Sequence, residues 1–191
     1  MVKNERDIIE SFVRHTCKFA DKMYICDHKS TDGTREIINE LATELPIELS
    51  TYESDEHAQS EVITNLTKHA IAEGFDLVMP LDADEFVIKT KGNSDDLRRH
   101  LQDLDPKCGY KTILWEHRFA DDDVEKFALS RTVLQSKKRD GERKVIVCRE
   151  IFLKDNYEIT QGNHDIRLPD GRRVLNDNLN FPVITRLQIS I

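Results

Sequence analysis

Over residues 7 to 81 the apolar residues alternate between helical and strand-like spacing, and this alternation restricts what the chain can become. Ile8, Ile9, Phe12, Val13 and Phe19 recur at helical spacing and predict an amphipathic helix from Asp7 to about Phe19. Lys22 to Cys26 reads as a strand that ends at Asp27. Ile37, Ile38, Leu41 and Leu45 predict a second helix, stopped by Pro46. Residues 47–52 alternate as a strand, and Val62, Ile63, Leu66, Ala70 and Ile71 trace a third helix closed by Gly74 at a C′ position. The apolar run 75–81 is then a further strand. Alternation of this kind predicts an α/β fold with a mostly parallel central sheet and helices on both faces. Met1 to Glu5 has the look of a strand's last residues, with almost none of the strand ahead of it.

The run 75–81 ends in Asp82-Ala83-Asp84-Glu85-Phe86. Ligands of open α/β sheets bind at the carboxyl ends of strands. Asp82 and Asp84 are two apart, so in an extended segment they point the same way. Two adjacent carboxylates repel unless a positive charge lies between them. A hard cation such as Mg²⁺ or Mn²⁺ suits that place and takes substrate phosphates as further ligands. The plainer reading is a solvated acidic turn, but the apolar residues on both sides weigh against it. Asp27 is likewise a carboxylate at a strand end. Asp32, in the Ser30-Thr31-Asp32-Gly33-Thr34 cluster, reads as a helix cap.

A length of 191 residues suits one domain, and the formal net charge of −8 argues against a nucleic-acid partner. It also means that an anionic substrate needs a metal or local basic groups. Cys17, Cys26, Cys108 and Cys148 have no paired or zinc-type spacing and read as reduced thiols. With no signal-peptide pattern and no transmembrane segment, the expected location is cytoplasmic. In the second half, Leu97, Leu101 and Leu104 predict a short helix, and residues 110–115 and 144–147 predict strands.

Val2-Lys3-Asn4-Glu5 before an Ile-Ile helix, Asp27 before Ser-Thr-Asp-Gly-Thr, and Leu-Asp-Ala-Asp-Glu-Phe occur in one order and spacing. Together they resemble the family-two glycosyltransferases, and most closely the subgroup with the Leu-Asp-Ala-Asp-Glu-Phe motif. The resemblance covers residues 1 to about 90 and thins afterwards. It implies a single GT-A-like nucleotide-diphospho-sugar transferase domain over 1–191. Residues 1–90 would form its nucleotide-sugar-binding half and 91–191 its acceptor-side half, trimmed at both ends. It implies Val2, Asn4, Glu5 and Asp27 near the base, Gln59 near the nucleotide, Asp82 near the ribose and Asp84 on Mn²⁺ or Mg²⁺. His164 would be a further metal ligand. The donor would be a UDP- or GDP-sugar and the acceptor a saccharide or another hydroxyl. An inverting enzyme also needs a carboxylate base, for which Asp121, Glu150 and Asp165 are candidates. Asp121-Asp122-Asp123 departs from the subgroup's Gly/Ser turn, and Asn180 stands where the subgroup has His.

Other readings are a non-catalytic nucleotide-sugar-binding domain, a sugar-1-phosphate nucleotidyltransferase and a metal-dependent phosphohydrolase. The second lacks its Gly-rich loop at residues 2–7, and the third lacks clustered His and Asp ligands.

Overall fold

The structure, a computed structural model, describes residues 1–56, 58–87, 94–104, 110–120, 132–135, 144–153, 157–172 and 177–186. The first half runs α1 (Ile9–Thr16), β1 (Met23–Asp27), α2 (Thr34–Leu41), β2 (Ile47–Thr51), α3 (Gln59–Ala72), β3 (Leu77–Val78) and β4 (Glu85–Val87). Then follow α4 (Ser94–Gln102), β5 (Tyr110–Ala120), β6 (Thr132–Gln135), β7 (Val145–Cys148), α5 (Arg149–Phe152), β8 (Glu158–Ile159), β9 (Ile166–Arg167) and β10 (Asp177–Arg186).

The helices form where their apolar spacing predicts. α1 buries Ile9, Phe12, Val13 and Thr16, one stripe at i, i+3, i+4 and i+7. Each large apolar side chain buried there contributes about 1.5–3 kcal/mol. α3 ends as Gly74 predicts. Gly74 has φ 103°, its N–H donates to Ile71 O and the Phe75 N–H donates to Ala70 O, which is the Schellman pattern. Asp32 Oδ1 accepts from the Thr34 N–H and hydroxyl, so Asp32 caps the first turn of α2 from one residue ahead of the N-cap position, which is Gly33 at φ 99°.

β1 and β2 pair in parallel, from Met23 opposite Ile47 to Asp27 opposite Thr51. Val2 bridges to Asp27 in the same sense: its N–H donates to Cys26 O, and the His28 N–H donates to Val2 O. Residues 1–5 thus carry the expected strand end. The run 75–81 differs from expectation, because only Leu77 and Val78 are strand, and they pair antiparallel with Cys148 and Val147. Phe75 is used in closing α3, and Pro80 has no N–H to extend a ladder. A cavity of about 490 Å³ is lined by Met23, Tyr24 and Ile25 and by Leu77, Val78 and Met79, so β1 and β3 line one space without pairing.

The larger sheet has the order β3-β7-β5-β10-β4, with β6 on β5. β5 and β10 are parallel, and its other pairings are antiparallel. The mostly parallel sheet expected from the first half is therefore a mixed one. Each antiparallel pairing includes a strand of the second half: β7 beside β3, β10 beside β4, and β5 beside β6 and β7.

One apolar cluster joins α1, β1 and α2 to Ala83 and Phe86. Phe86 is 1 % exposed and meets Phe12 edge-on at 6.0 Å. The two apolar members of the carboxylate turn thus anchor it in the core. No helix among the described residues is long and apolar enough to cross a membrane.

Candidate functional site

The first group of residues lies where Val2 meets β1. Asp27, the last residue of β1, is 1 % exposed. Its Oδ2 accepts from the Ser30 N–H at 3.4 Å, and its Oδ1 is buried with no hydrogen-bond partner among the described residues. The two loops beside it are joined residue by residue. The Asn4 N–H donates to Ser30 Oγ at 2.9 Å, and Asn4 Oδ1 accepts from the Thr31 N–H at 2.8 Å. The Glu5 N–H donates to Thr34 Oγ1, and the Arg6 N–H to Asp32 Oδ2. Asn4 adopts φ 56° and Lys29 φ 54°, a left-handed conformation that Asn tolerates better than most residues. His28 and Tyr52 join this group without any motif or spacing that marks them. His28 is buried, with its Nε2 2.8 Å from Ser54 O and its ring edge-on to Tyr52 at 5.4 Å.

The second group is the carboxylate turn. The Glu85 N–H donates to Asp82 O, and the Asp82 N–H donates back to Glu85 Oε2 at 2.9 Å, which closes the turn. Asp82 Oδ1 accepts from Gln59 Nε2 at 2.9 Å and from Asn163 Nδ2 at 3.2 Å. Its Oδ2 accepts from Lys144 Nζ at 2.9 Å. The same ammonium lies 2.8 Å from Glu85 Oε1 and donates to Gly162 O. The Lys144 side chain is 0 % exposed and that of Glu85 1 %. Burial pushes the Glu85 carboxyl up to about 8 against the pull of Lys144. Burial works to lower Lys144, but Glu85 and Asp82 outweigh it and hold its pKa above the ordinary value. One cation thus serves two carboxylates, and it stays charged while the deeper carboxyl resists ionisation.

The loop 160–165 closes over this turn. The Gly162 N–H donates to Gln59 Oε1, and Asn163 is fully buried at φ 59°. Gly162 has φ 75°, and a Cβ there would come 2.7 Å from the His164 imidazole. His164 therefore lies against a position where only glycine fits. Asp165 is 7 % exposed, and its backbone is held by Thr160.

Of the residues singled out from sequence, Val2, Asn4, Glu5 and Asp27 come together, and Gln59 and Asp82 come together. Asp84 lies in the same turn as Asp82, and His164 and Asp165 lie in the loop that contacts it. Glu150 is placed elsewhere. The Arg149 N–H donates to Asp76 O, at the far end of β7 from Lys144. Five residues of strand rise separate Lys144 from Arg149, about 16 Å. Asp121 lies outside the described residues, as do Asp122 and Asp123. Cys17, Cys26 and Cys148 are free thiols, and Cys108 also lies outside the described residues. Elsewhere, Glu48, His69 and Glu73 place three potential ligand atoms within 4.8 Å of one another. That exposed cluster already holds the Lys22 ammonium, 2.8 Å from both carboxylates.

The α/β scaffold has a GT-A-like fold. The solved structures it is similar to include S. aureus TarS, at 13 % identity with a TM-score of 0.55, covering 97 % of this chain and 35 % of TarS. They also include S. aureus TarS 1–349 in complex with UDP-GlcNAc, at 14 % identity with a TM-score of 0.56, covering 100 % of this chain and 58 % of that one. The chain thus spans between about a third and three-fifths of these structures' length. No family model matches the chain, and no curated protein matches it.

Proposed function

We propose that the chain binds a nucleoside-diphosphate sugar and passes its sugar, with inversion, to an acceptor hydroxyl, using a divalent cation. Asp27 carries this reading. A carboxylate oxygen buried at a strand end without a donor bears a desolvation cost that a ligand N–H would remove. The N–H edge of a uracil or guanine supplies such a donor. The likeness in fold to TarS with bound UDP-GlcNAc supports a uridine nucleotide.

In this reading the acceptor oxygen forms a bond to the anomeric carbon as the bond to the diphosphate breaks. The acceptor's proton passes to a carboxylate. Asp165, in the loop that contacts Asp82, is one candidate, and Asp121 is another. Glu150 is set apart by its position beyond the far end of β7. Both Asp82 oxygens already accept hydrogen bonds, so Mn²⁺ or Mg²⁺ would be held by Asp84 and His164, with diphosphate oxygens and water completing the shell. The carboxylate and imidazole there are a donor set that suits Mn²⁺. Bound there, the ion supplies Lewis-acid stabilisation of charge on the leaving diphosphate. Titration calorimetry with UDP and GDP in the presence of Mn²⁺, followed by a UDP-GlcNAc hydrolysis assay, tests the proposal. Binding of neither nucleotide would overturn it. Binding without turnover of any donor would leave a nucleotide-sugar-binding domain.

A further inference from the structure

We propose that Lys144 is a positioning residue of the donor site, a built-in counter-ion that fixes Asp82 within the turn that carries Asp84. The proposal rests on the donor-site reading above and adds a residue to it. Two neighbouring carboxylates need a positive charge between them. In Asp82 and Glu85 that charge comes from the protein itself, at 2.9 and 2.8 Å.

The geometry goes beyond charge balance. A lysine that only neutralised Glu85 would need one contact. Lys144 spreads its ammonium over Asp82, Glu85 and the Gly162 carbonyl, three points on two separate segments. Gln59 repeats the pattern, donating to Asp82 and accepting from the Gly162 N–H. Asn163, next to Gly162, donates to Asp82. The carboxylate turn, the start of α3 and the loop bearing His164 are thus fixed to one another around a single carboxylate. Outer partners that orient a metal ligand typically change metal affinity about 10- to 100-fold when removed. Lys144 is placed to act in this way on the turn that holds Asp84.

The test separates neutralisation from positioning. Lys144→Met alone leaves Asp82 and the buried Glu85 without the cation they share and lowers the melting temperature of the ligand-free protein. Lys144→Met combined with Glu85→Gln removes the ammonium together with the buried carboxyl it faces and recovers most of that loss. If Lys144 positions Asp82, the double variant still binds UDP in Mn²⁺ about 10- to 100-fold more weakly than the parent. The side-chain amide NMR signals of Gln59 and Asn163, read without ligand, also move. Unmoved amide signals and parental UDP affinity would show that Lys144 only balances Glu85 and would overturn the proposal. If the parent protein binds neither UDP nor GDP, the donor-site reading fails, while the ligand-free amide signals still decide whether Lys144 positions Asp82. Lys144→Arg keeps the charge, but its planar head cannot reproduce three contacts made by a compact ammonium. It provides the same two readouts should the double variant not fold.

Discussion

The ammonium of Lys144 sits 2.9 Å from Asp82 Oδ2, across 62 residues of sequence, with no exposed side-chain surface on the lysine. Lys144 therefore occupies part of the place that paired carboxylates would otherwise reserve for a divalent ion. Breaking a buried ion pair from one side leaves an uncompensated charge, at about 3–5 kcal/mol. Lys144→Met is expected to lower unfolding stability by that amount in urea denaturation. A loss under about 1 kcal/mol would mean that water reaches the carboxylates and that the lysine is not their main partner.

This contact marks where local sequence logic stops. Helix α1, the Schellman closure at Gly74, the cap at Asp32 and the strand end at Val2 are legible because each depends on residues a few positions apart or on a simple period. The carboxylate turn is legible for the same reason, since Asp82, Asp84 and Glu85 fall between an apolar run and Phe86-Val87-Ile88. The role of Lys144 is not, because both of its carboxylate partners come from a distant segment. β3 is shorter than the apolar content of 75–81 suggests, because Pro80 and the closure of α3 limit the backbone available for pairing. The pairing of β4 with β10 joins segments about a hundred residues apart, which no window of sequence displays. The placement of Glu150 follows from the direction of β7, and strand direction is not written in residue type.

His15 gives the protein an acid-side sensitivity on the core side of the carboxylate turn. Its Nε2 lies 2.7 Å from Val87 O, and its ring meets Phe86 edge-on at 5.5 Å. Burial lowers its pKa below the ordinary 6.5 despite the Val87 contact. The folded state thus disfavours the imidazolium. The unfolded chain takes up a proton first as pH falls below 6.5, so stability present above that value declines through the acid range. Gln can keep a donor to Val87 O without titrating. The melting temperature of His15→Gln should therefore fall less steeply than the parent's between pH 7 and pH 5, even if packing lowers it throughout. Parallel curves would assign the acid sensitivity to other groups.

Asp27 should separate stability from binding. Its Oδ1 is buried without a partner, so truncation removes a group whose desolvation is not repaid in the ligand-free fold. Asp27→Ala is expected not to lower the ligand-free melting temperature. It should weaken UDP binding by about 1.5–3 kcal/mol, the range of a hydrogen bond to a charged group. A clear loss of stability with unchanged UDP affinity in calorimetry would instead make Asp27 part of the scaffold that joins β1 to the 28–34 loop.

Asp84 is the sharpest test of the cation. Asp82 is held by Gln59, Asn163 and Lys144, so its own substitution would mix loss of structure with loss of binding. Asp84 lies in the same turn, and the buried neighbours Ala83 and Glu85 hold the backbone on either side of it. Asp84→Asn keeps the shape and removes one charge. With two protein ligands, the ion's shell depends on the diphosphate, so Mn²⁺ alone should bind weakly to the parent and more tightly once UDP is present. In Asp84→Asn that Mn²⁺-dependent gain in UDP affinity should vanish, with ligand-free stability nearly unchanged. His164→Ala should cause a smaller loss of the same gain. Gly162→Ala, whose Cβ would come 2.7 Å from His164 Cδ2 and Nε2, should reproduce the His164→Ala effect. If Asp84→Asn binds UDP with the parent's full response to Mn²⁺, the cation is held elsewhere and the turn serves only to seat Asp82 on Lys144.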